Sequence, residues 1–129
     1  MPRVRILSVG QCGFDHGQIS RQLGRELDAE VLPAGTHEEA LAALRSTRMD
    51  LVLVNRIGDD DGASGLELIR TIKADPALST LHVMLVSNFA DAQTEAIGLG
   101  ALPGFGKSEL GKRALTTKLQ AAIEPKAGL

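Results

Sequence analysis

Two segments of this sequence carry residue types that could do chemistry. The carboxylates Asp59, Asp60 and Asp61 could bind a cation, although the string DDDG lacks the alternating ligand spacing of a Ca²⁺ loop. The string ALPGFGKS, residues 101–108, imitates a nucleotide-binding P-loop but has alanine where that motif begins with glycine. A true P-loop also needs a later strand with an acidic residue for Mg²⁺, and one predicted helix is all that follows here. We therefore interpret the acidic triplet as a solvated loop and expect no nucleotide to bind.

The residue types that most often hold metals or cofactors are few and scattered. His16, His37 and His82 lie far apart in the sequence, and Cys12 is the single cysteine. A lone cysteine is more often a small apolar residue than a reactive thiol. We predict no metal, no cofactor and no internal disulfide.

The composition is that of one globular domain. The 129 residues contain 14 Lys plus Arg against 16 Asp plus Glu, a formal net charge of −2, with 43% hydrophobic and 2% aromatic residues. The charge excludes a broadly basic nucleic-acid binder, and few aromatic rings are available to stack on single strands. No apolar run approaches the ~18 residues of a membrane span, and no signal peptide is visible. We predict one domain over residues 1–124, a short tail at 125–129, cytoplasmic localisation, and no direct contact with nucleic acid or membrane.

Short apolar runs alternate along the chain with segments of helical periodicity. The runs LVLV and VMLV are apolar on both faces, as expected for central parallel strands that helices cover on each side. Pro33 cannot donate to a ladder of hydrogen bonds, so its strand belongs at a sheet edge. The predicted strands are residues 4–9, 31–34, 51–54, 83–86 and a short one around 104–106.

The helical segments have recognisable starts and ends. Asp15 and Gln18 have the spacing of a capping box, Pro76 ends the third helix, and Ser108 is a candidate N-cap for the last one. The segment 91–100 offers mainly alanines to the core, so its helix should be weak. The predicted helices begin at Asp15, cover residues 38–46, open near Ser64, cover residues 91–100 and begin at Ser108.

This alternation predicts an α/β fold with a doubly wound, five-stranded parallel sheet and helices on both faces. The flavodoxin-like strand order 2-1-3-4-5 fits, because it puts the strand with Pro33 at an edge. Ligands of such folds bind at the carboxyl ends of the strands beside the point where the strand order reverses. The residues at that point are Gly10, Gln11 and Asn55.

Five landmarks, taken in order, resemble the receiver domain of bacterial response regulators, the CheY-like family. They are SVGQ, DLVLVN, GLELI, the fourth predicted strand ending at Ser87, and GALPGFGKS. That family has an acidic pair after strand one, a phosphate-accepting Asp at the end of strand three, a Ser or Thr after strand four and a Lys after strand five. The resemblance places these positions on Gly10 and Gln11, Asn55, Ser87 and Lys107.

The departures from this family concern phosphoryl transfer, which needs a carboxylate nucleophile and Mg²⁺. Asn55 is a neutral amide, Gly10 has no side chain and Gln11 has no charge. Mg²⁺ is usually held by one or two carboxylates. Nucleophile and metal site are both missing, and the resemblance leaves the phosphate contacts Ser87 and Lys107.

Further departures concern the family's switch. Gly104 stands where the family often carries an aromatic residue that rotates on activation, and Ser108 stands where a Pro after a cis bond is common. The resemblance places the interaction face of the family on the fourth helix, fifth strand and fifth helix. That face would include Asp91, Glu95, Gly104 and Phe105.

We predict from this comparison a pseudo-receiver, a non-enzymatic protein-interaction module of two-component phosphorelay signalling that works without phosphorylation. The expected partners are a histidine kinase, another receiver or an output domain, with a homodimer as a further candidate. The alternative is a phosphate-accepting receiver that uses a displaced carboxylate, Asp15 or one of residues 59–61, or a nucleotide binder that uses ALPGFGKS. A flavodoxin-like ligand binder is a third hypothesis, although its cofactor loop and aromatic stack are not visible.

Three of these residues also have purely structural interpretations. Asn55 could satisfy backbone groups at the end of a buried strand, which is the interpretation we favour. Lys107 could extend along the sheet edge or pair with the carboxylates at 59–61. Ser87 could donate a hydrogen bond to the following turn.

Overall fold

The chain forms a parallel sheet with helices on both faces, which a computed structural model describes for residues 4–59 and 61–123. Within those residues the sheet has five strands in the order β2-β1-β3-β4-β5. This confirms the flavodoxin-like, CheY-like architecture. Asp60, the predicted boundary at residue 124 and the predicted tail lie outside the described residues. The elements are β1 Val4–Val9, α1 Gly13–Glu26, β2 Ala29–Ala34, α2 His37–Ser46, β3 Leu51–Asn55, α3 Gly65–Ala74, β4 Val83–Val86, α4 Ala90–Gly98, β5 Leu102–Phe105, a 3₁₀ turn Lys107–Glu109 and α5 Arg113–Ile123.

The core lies in two layers, one on each face of the sheet. Helices α1 and α5 cover one face, with Ile19, Leu23 and Leu119 packed against Leu53. Helices α2, α3 and α4 cover the other face, where Ile69 packs in the same cluster as strand residues such as Val52 and Val54. Strands β3 and β4 are therefore buried on both faces, which is why LVLV and VMLV have no polar alternation.

Strand β2 is an edge strand, as Pro33 requires. The Gly10 amide donates to the Ala34 carbonyl at 2.8 Å, so the peptide groups of Ala34 face β1. Successive residues of a strand direct their peptide groups to opposite sides, so the nitrogen of Pro33 faces the open edge. The strand begins at Ala29, two residues before the predicted start.

The helix starts differ from the predicted ones. Helix α1 begins at Gly13 and is capped by Cys12, whose sulfur accepts from the Asp15 amide at 3.4 Å, so the capping box at Asp15 was wrong. Ser108 lies inside a 3₁₀ turn and is not the N-cap of α5, which begins at Arg113. Helix α3 begins after Ser64 and ends at Ala74, as predicted.

Glycine at position 65 lets α3 begin directly against the end of β3. A Cβ there would collide with the Asn55 carbonyl oxygen, and the Gly65 amide donates to the Arg56 carbonyl at 2.7 Å. Ile57 also forms an isolated antiparallel bridge with Ser64. The loop after β3 is thus closed at its base, which holds its first residues beside the carboxyl ends of the strands.

Strand β5 contains an irregularity that the sequence did not indicate. Met84 pairs with Leu102 but Val86 pairs with Phe105, so β5 has one more residue than β4 over the same length. The strand was predicted around residues 104–106 and lies at Leu102–Phe105. An extra residue interrupts the regular ladder, so the backbone groups around it need other partners.

The amide of Gln93 on α4 supplies those partners. Its Nε2 donates to the carbonyl oxygens of Leu85 at 2.9 Å and Ser87 at 3.1 Å, and its Oε1 accepts from the Gly104 amide at 3.1 Å. One side chain therefore joins α4 to both strands at the irregularity. The position of Gly104 has no room for a side chain, since a Cβ would overlap the Leu85 carbonyl oxygen and lie 2.9 Å from Gln93 Oε1.

We expect Gly104→Ala to destabilise the protein by about 2 kcal/mol or more, because the added methyl group displaces Gln93 or separates β4 from β5. The control is Gly98→Ala in the last turn of α4, where an added Cβ meets nothing within 4 Å. Alanine there should stabilise the protein by up to about 1 kcal/mol through its helix propensity. Urea unfolding of both variants measures the difference, and equal stabilities would contradict the assigned role of Gln93.

Candidate functional site

The carboxyl ends of β1, β3, β4 and β5 form one edge of the sheet, which we call the carboxyl edge. A pocket of about 220 Å³ opens there, and we call it the Asn55 pocket. Three residues that the sequence singled out, Asn55, Ser87 and Lys107, line it together. Gly10 and Gln11 instead line a smaller neighbouring cavity. The residues lining the Asn55 pocket are Asn55, Arg56, Ile57, Val86, Ser87, Asn88, Phe89 and Lys107.

The Asn55 side chain acts as a hydrogen-bond donor to the backbone. Its Nδ2 donates to the Gly10 carbonyl at 3.0 Å and to the Ile57 carbonyl at 2.8 Å. Both protons of the amide are thereby used to tie the end of β3 to the end of β1 and to the following loop. The Gly10 carbonyl also accepts from the Asp59 amide at 2.9 Å, which holds the same loop. The amide fulfils the structural role that the sequence suggested for it.

Gly10 is fixed as glycine by the backbone. Its φ of 74° lies in the left-handed region, and a Cβ would lie 3.1 Å from the Gly58 Cα. Residues other than glycine are strained in that conformation. A carboxylate at this position would therefore require the turn after β1 to change its backbone conformation.

Lys107 is ion-paired with Asp15. Its Nζ lies 2.8 Å from Asp15 Oδ2, and the side chains are 43% and 12% exposed respectively. The carboxylates of residues 59–61 were the predicted partners, but Lys107 forms no ion pair with Asp59 or Asp61, the described members of that group. Asp15 lies in the first turn of α1, and helix starts meet strand ends at the carboxyl edge. That topology is the signal that could have identified Asp15 as the partner.

Ser87 is an acceptor in the structure, which corrects its prediction as a donor to the turn. Its Oγ accepts from the Phe89 amide at 3.1 Å. The neighbouring Asn88 uses its Oδ1 to accept from the amide and the hydroxyl of Ser108, at 3.4 and 3.1 Å. A Cβ on Gly106 would overlap this Asn88 amide. The ends of β4 and β5 are thus joined by side-chain amides on this side of the pocket.

Sequence reasoning missed the most exposed apolar side chains at the carboxyl edge. Phe89 is 61% exposed and Ile57 is 43% exposed, and both line the Asn55 pocket. The Arg56 guanidinium lies 4.8 Å from the centre of the Phe89 ring, within cation–π range. Phe14, at the start of α1, is 70% exposed. The available signal was an apolar side chain within three residues of the end of each of two buried strands, Ile57 after β3 and Phe89 after β4.

The predicted interaction face on α4 and β5 is only partly accessible. Asp91 and Glu95 are exposed on α4. Phe105 is 1% exposed and packs in the core under α1 and α5, so its inclusion in that face was wrong. Gly104 is covered by Gln93. The resemblance placed Phe105 on that face because it belongs to the fifth strand, and a resemblance of this kind does not indicate which side of the strand a residue faces.

Neither of the two segments that could have bound a nucleotide or a cation, ALPGFGKS and the acidic loop at residues 59–61, forms such a site in the described structure. Residues 102–105 of ALPGFGKS form β5 and pair with β4, so this string does not form a phosphate-binding loop. Asp59 and Asp61 are exposed, and Asp61 Oδ1 accepts from the Ala63 amide at 3.0 Å. The described residues contain no group of three His, Cys, Asp or Glu side chains arranged to hold a metal. None of the described helices is long and apolar enough to cross a membrane.

The fold is shared with response regulator receiver proteins of known structure. A response regulator from Thermotoga maritima is 21% identical, with a TM-score of 0.79 over 95% of this chain and 99% of that one. A response regulator receiver protein from Pseudomonas putida is 21% identical, with a TM-score of 0.76 over 98% of this chain and 99% of that one. NtrX from Brucella abortus is 24% identical, with a TM-score of 0.83 over 96% of this chain but 28% of that one.

The TM-scores of these superpositions establish a common fold. No protein-family model matches the sequence. No curated protein matches it either.

We expect Asn55→Asp to destabilise the protein by about 2–4 kcal/mol at neutral pH, because a carboxylate cannot donate to the Gly10 and Ile57 carbonyl oxygens. The protonated form of the new carboxyl can donate one hydrogen bond, so the loss should be smaller at acidic pH than at neutral pH.

The matched control is Asn88→Asp, because Asn88 Oδ1 is an acceptor and a carboxylate keeps that role. It should change the free energy of unfolding by less than about 1 kcal/mol. Thermal and urea unfolding between pH 4 and 7 measure both variants. Equal losses in the two would contradict the donor role assigned to Asn55.

Proposed function

We propose that this chain is an atypical receiver, a pseudo-receiver that works in two-component signalling as a protein-interaction module without phosphoryl chemistry of its own. The proposal rests on the Asn55 side chain at the end of β3. Its amide donates both of its protons to backbone carbonyls. A phosphoacceptor must be a nucleophile with a free lone pair, and this group is a neutral donor held in place.

The charges around Asn55 support the same conclusion. The positive charge of Lys107 is already paired with the carboxylate of Asp15, so it is not held free to contact a phosphoryl group. The left-handed backbone conformation of Gly10 disfavours a carboxylate side chain at that position, and Gln11 is uncharged. Mg²⁺ for phosphoryl transfer is usually held by carboxylate oxygens, and the resemblance to receivers places the family's acidic pair at these two positions.

The connections between α4, β4 and β5 support an output that does not switch. Gln93 fills the space at Gly104, where the resemblance to receivers expects a rotating aromatic residue. Asn88 and Lys118 add hydrogen bonds to Ser108 and to the Gly104 carbonyl. These bonds favour one conformation of the α4–β5 region, so a partner would recognise a surface that is already formed.

The surface best suited to a protein partner surrounds the Asn55 pocket. Phe89 and Ile57 expose large apolar side chains in its lining. The other exposed large apolar side chains of the described residues are Phe14 at the start of α1 and Ile97 on α4. Arg56 lies over the Phe89 ring and adds a positive charge. An aromatic residue and an arginine in contact are typical of protein-binding hot spots. We infer that the partner presents apolar side chains beside an acidic group.

We expect acetyl phosphate with Mg²⁺ to leave the protein unmodified, because Asn55 cannot form an acyl phosphate. Intact-mass spectrometry under conditions that preserve acyl phosphates measures this, with a phosphorylatable receiver in the same tube as the reagent control. A stoichiometric phosphoryl group on Asp15 or on any carboxylate of residues 59–61 would instead establish the displaced-carboxylate alternative. Asp15→Asn would then show whether the carboxylate paired with Lys107 is the acceptor.

We expect a photoreactive phenylalanine analogue at Phe89 to crosslink the partner in the native cell, since this ring lies exposed at the proposed surface. The same analogue at Gln120, an exposed position on α5, is the control. The adducts at position 89 should be identical with and without acetyl phosphate. Adducts at position 120 alone, or adducts that depend on acetyl phosphate, would contradict the proposed surface or its independence from phosphorylation.

A further inference from the structure

The loop between β3 and α3, residues 56–64, carries a basic, an apolar and an acidic residue in the order Arg56, Ile57, Asp59. We propose that this loop binds the same loop of a second copy of the chain through a two-fold interface at the carboxyl edge. A two-fold axis near Ile57 places the positive charge of each copy opposite the negative charge of the other. The inference rests on the proposed function, because it names the partner of the surface around the Asn55 pocket.

Backbone hydrogen bonds fix the direction in which the loop crosses the carboxyl edge. The Arg56 amide donates to the carbonyl of Val86, at the end of β4, at 3.2 Å. The Asp59 amide donates to the carbonyl of Gly10, directly after β1, at 2.9 Å. Strand β3 lies between β1 and β4 in the sheet. The loop therefore runs from the β4 side to the β1 side, and its charged residues stand at opposite ends with Ile57 between them.

The β4 side of this surface has a positive charge that is available to a partner. The Arg56 guanidinium lies 4.8 Å from the centre of the Phe89 ring. It forms no ion pair with any residue of 4–59 and 61–123. Lys107 lines the same pocket but is paired with Asp15. Arg56 is therefore the cation of this pocket that a carboxylate of a second copy can approach.

The β1 side carries the opposite charge. Asp59 is exposed and lines the smaller cavity beside the Asn55 pocket, and the described residues contain no ion-pair partner for its carboxylate. Glu39 is also exposed, and its Oε1 accepts from the amide of Gly35, which lines the same cavity. Two carboxylates on one side and Arg56 on the other make the surface complementary to itself.

The apolar part of the surface lies between these charges. Ile57 is 43% exposed, and Phe89, which lines the same pocket, is 61% exposed. Burial of such side chains against a second copy is favourable, and the gain occurs twice because both copies contribute the same residues. An apolar centre with a charged rim is the usual composition of a protein interface, and the charges determine how the two copies are oriented.

The loop already has a defined conformation in the single chain. The Gly58 amide donates to the Ala63 carbonyl at 2.9 Å, and the Gly62 amide donates to the Gly58 carbonyl at 2.9 Å. The bridge between Ile57 and Ser64 closes its base. A surface that is held in this way loses little conformational entropy when it associates.

Sedimentation velocity of the full 129-residue chain, from micromolar to millimolar concentration, tests the proposal. We expect a monomer–dimer equilibrium that Ile57→Ser weakens by about tenfold or more, because the apolar contact is lost from both copies. The matched control is Ile97→Ser. Ile97 is 46% exposed in the last turn of α4, and that helix returns to the amino ends of the parallel strands. The control should leave dimerisation unchanged.

Two charge-reversed variants test the two-fold arrangement. Arg56→Glu and Asp59→Lys each place like charges opposite one another twice, so each should weaken dimerisation by about tenfold or more. In an equal mixture of the two variants, every charged contact of the heterodimer joins opposite charges. Native mass spectrometry should therefore detect a heterodimer at a concentration where neither variant forms a dimer alone. Circular dichroism reports whether each variant is folded.

Three results would overturn the proposal. The chain could remain monomeric at millimolar concentration. Ile97→Ser could weaken the dimer while Ile57→Ser leaves it intact, which would place the interface on α4. The mixed variants could form no heterodimer, which would mean that the charges do not face each other. If the chain is monomeric, an adduct between the photoreactive analogue at position 89 and a different protein still supports the proposed function, so the two failures are distinguishable.

Discussion

The carboxyl edge of the sheet depends on the two protons of the Asn55 amide. One proton is donated to the Gly10 carbonyl at the end of β1, and the other to the Ile57 carbonyl in the loop that leaves β3. The Gly10 carbonyl also accepts the Asp59 amide, so a single oxygen joins two strands and a loop. These bonds hold the residues around both cavities in place. A group that only accepts hydrogen bonds could not replace this amide.

The sheet and its core were predictable because they follow from local patterns. The fully apolar runs at β3 and β4 occur where helices cover both faces, and Pro33 marked the edge. The position of β5 was not predictable. Its register depends on an extra residue whose backbone groups are satisfied by Gln93, a side chain on a different element. Periodicity cannot indicate a contact of that kind.

The site was predictable in outline and not in its pairings. The strand ends placed Asn55, Ser87 and Lys107 at one edge, and the structure brings them to one pocket. Lys107 pairs with Asp15 at the start of α1. The sequence had suggested the carboxylates of residues 59–61, which follow Asn55 along the chain. Ser8 Oγ, Gln11 Oε1 and His16 Nδ1 have no hydrogen-bond partner in the described part of the chain, which the sequence did not indicate. A missing hydrogen-bond partner is a property of the whole packing around a group.

The Gln93 side chain also determines how this part of the molecule opens. Helix α4 buries little by itself, with Ala96 as its one fully buried residue in the described structure, and β5 is a short edge strand. Each therefore has little local stability, but the Gln93 hydrogen bonds exist only when both elements and β4 are in place. Loss of either element exposes the unpaired groups of the other. Helix α4 and strand β5 consequently form one cooperative unit, and amide hydrogen exchange in the two should follow a single opening event.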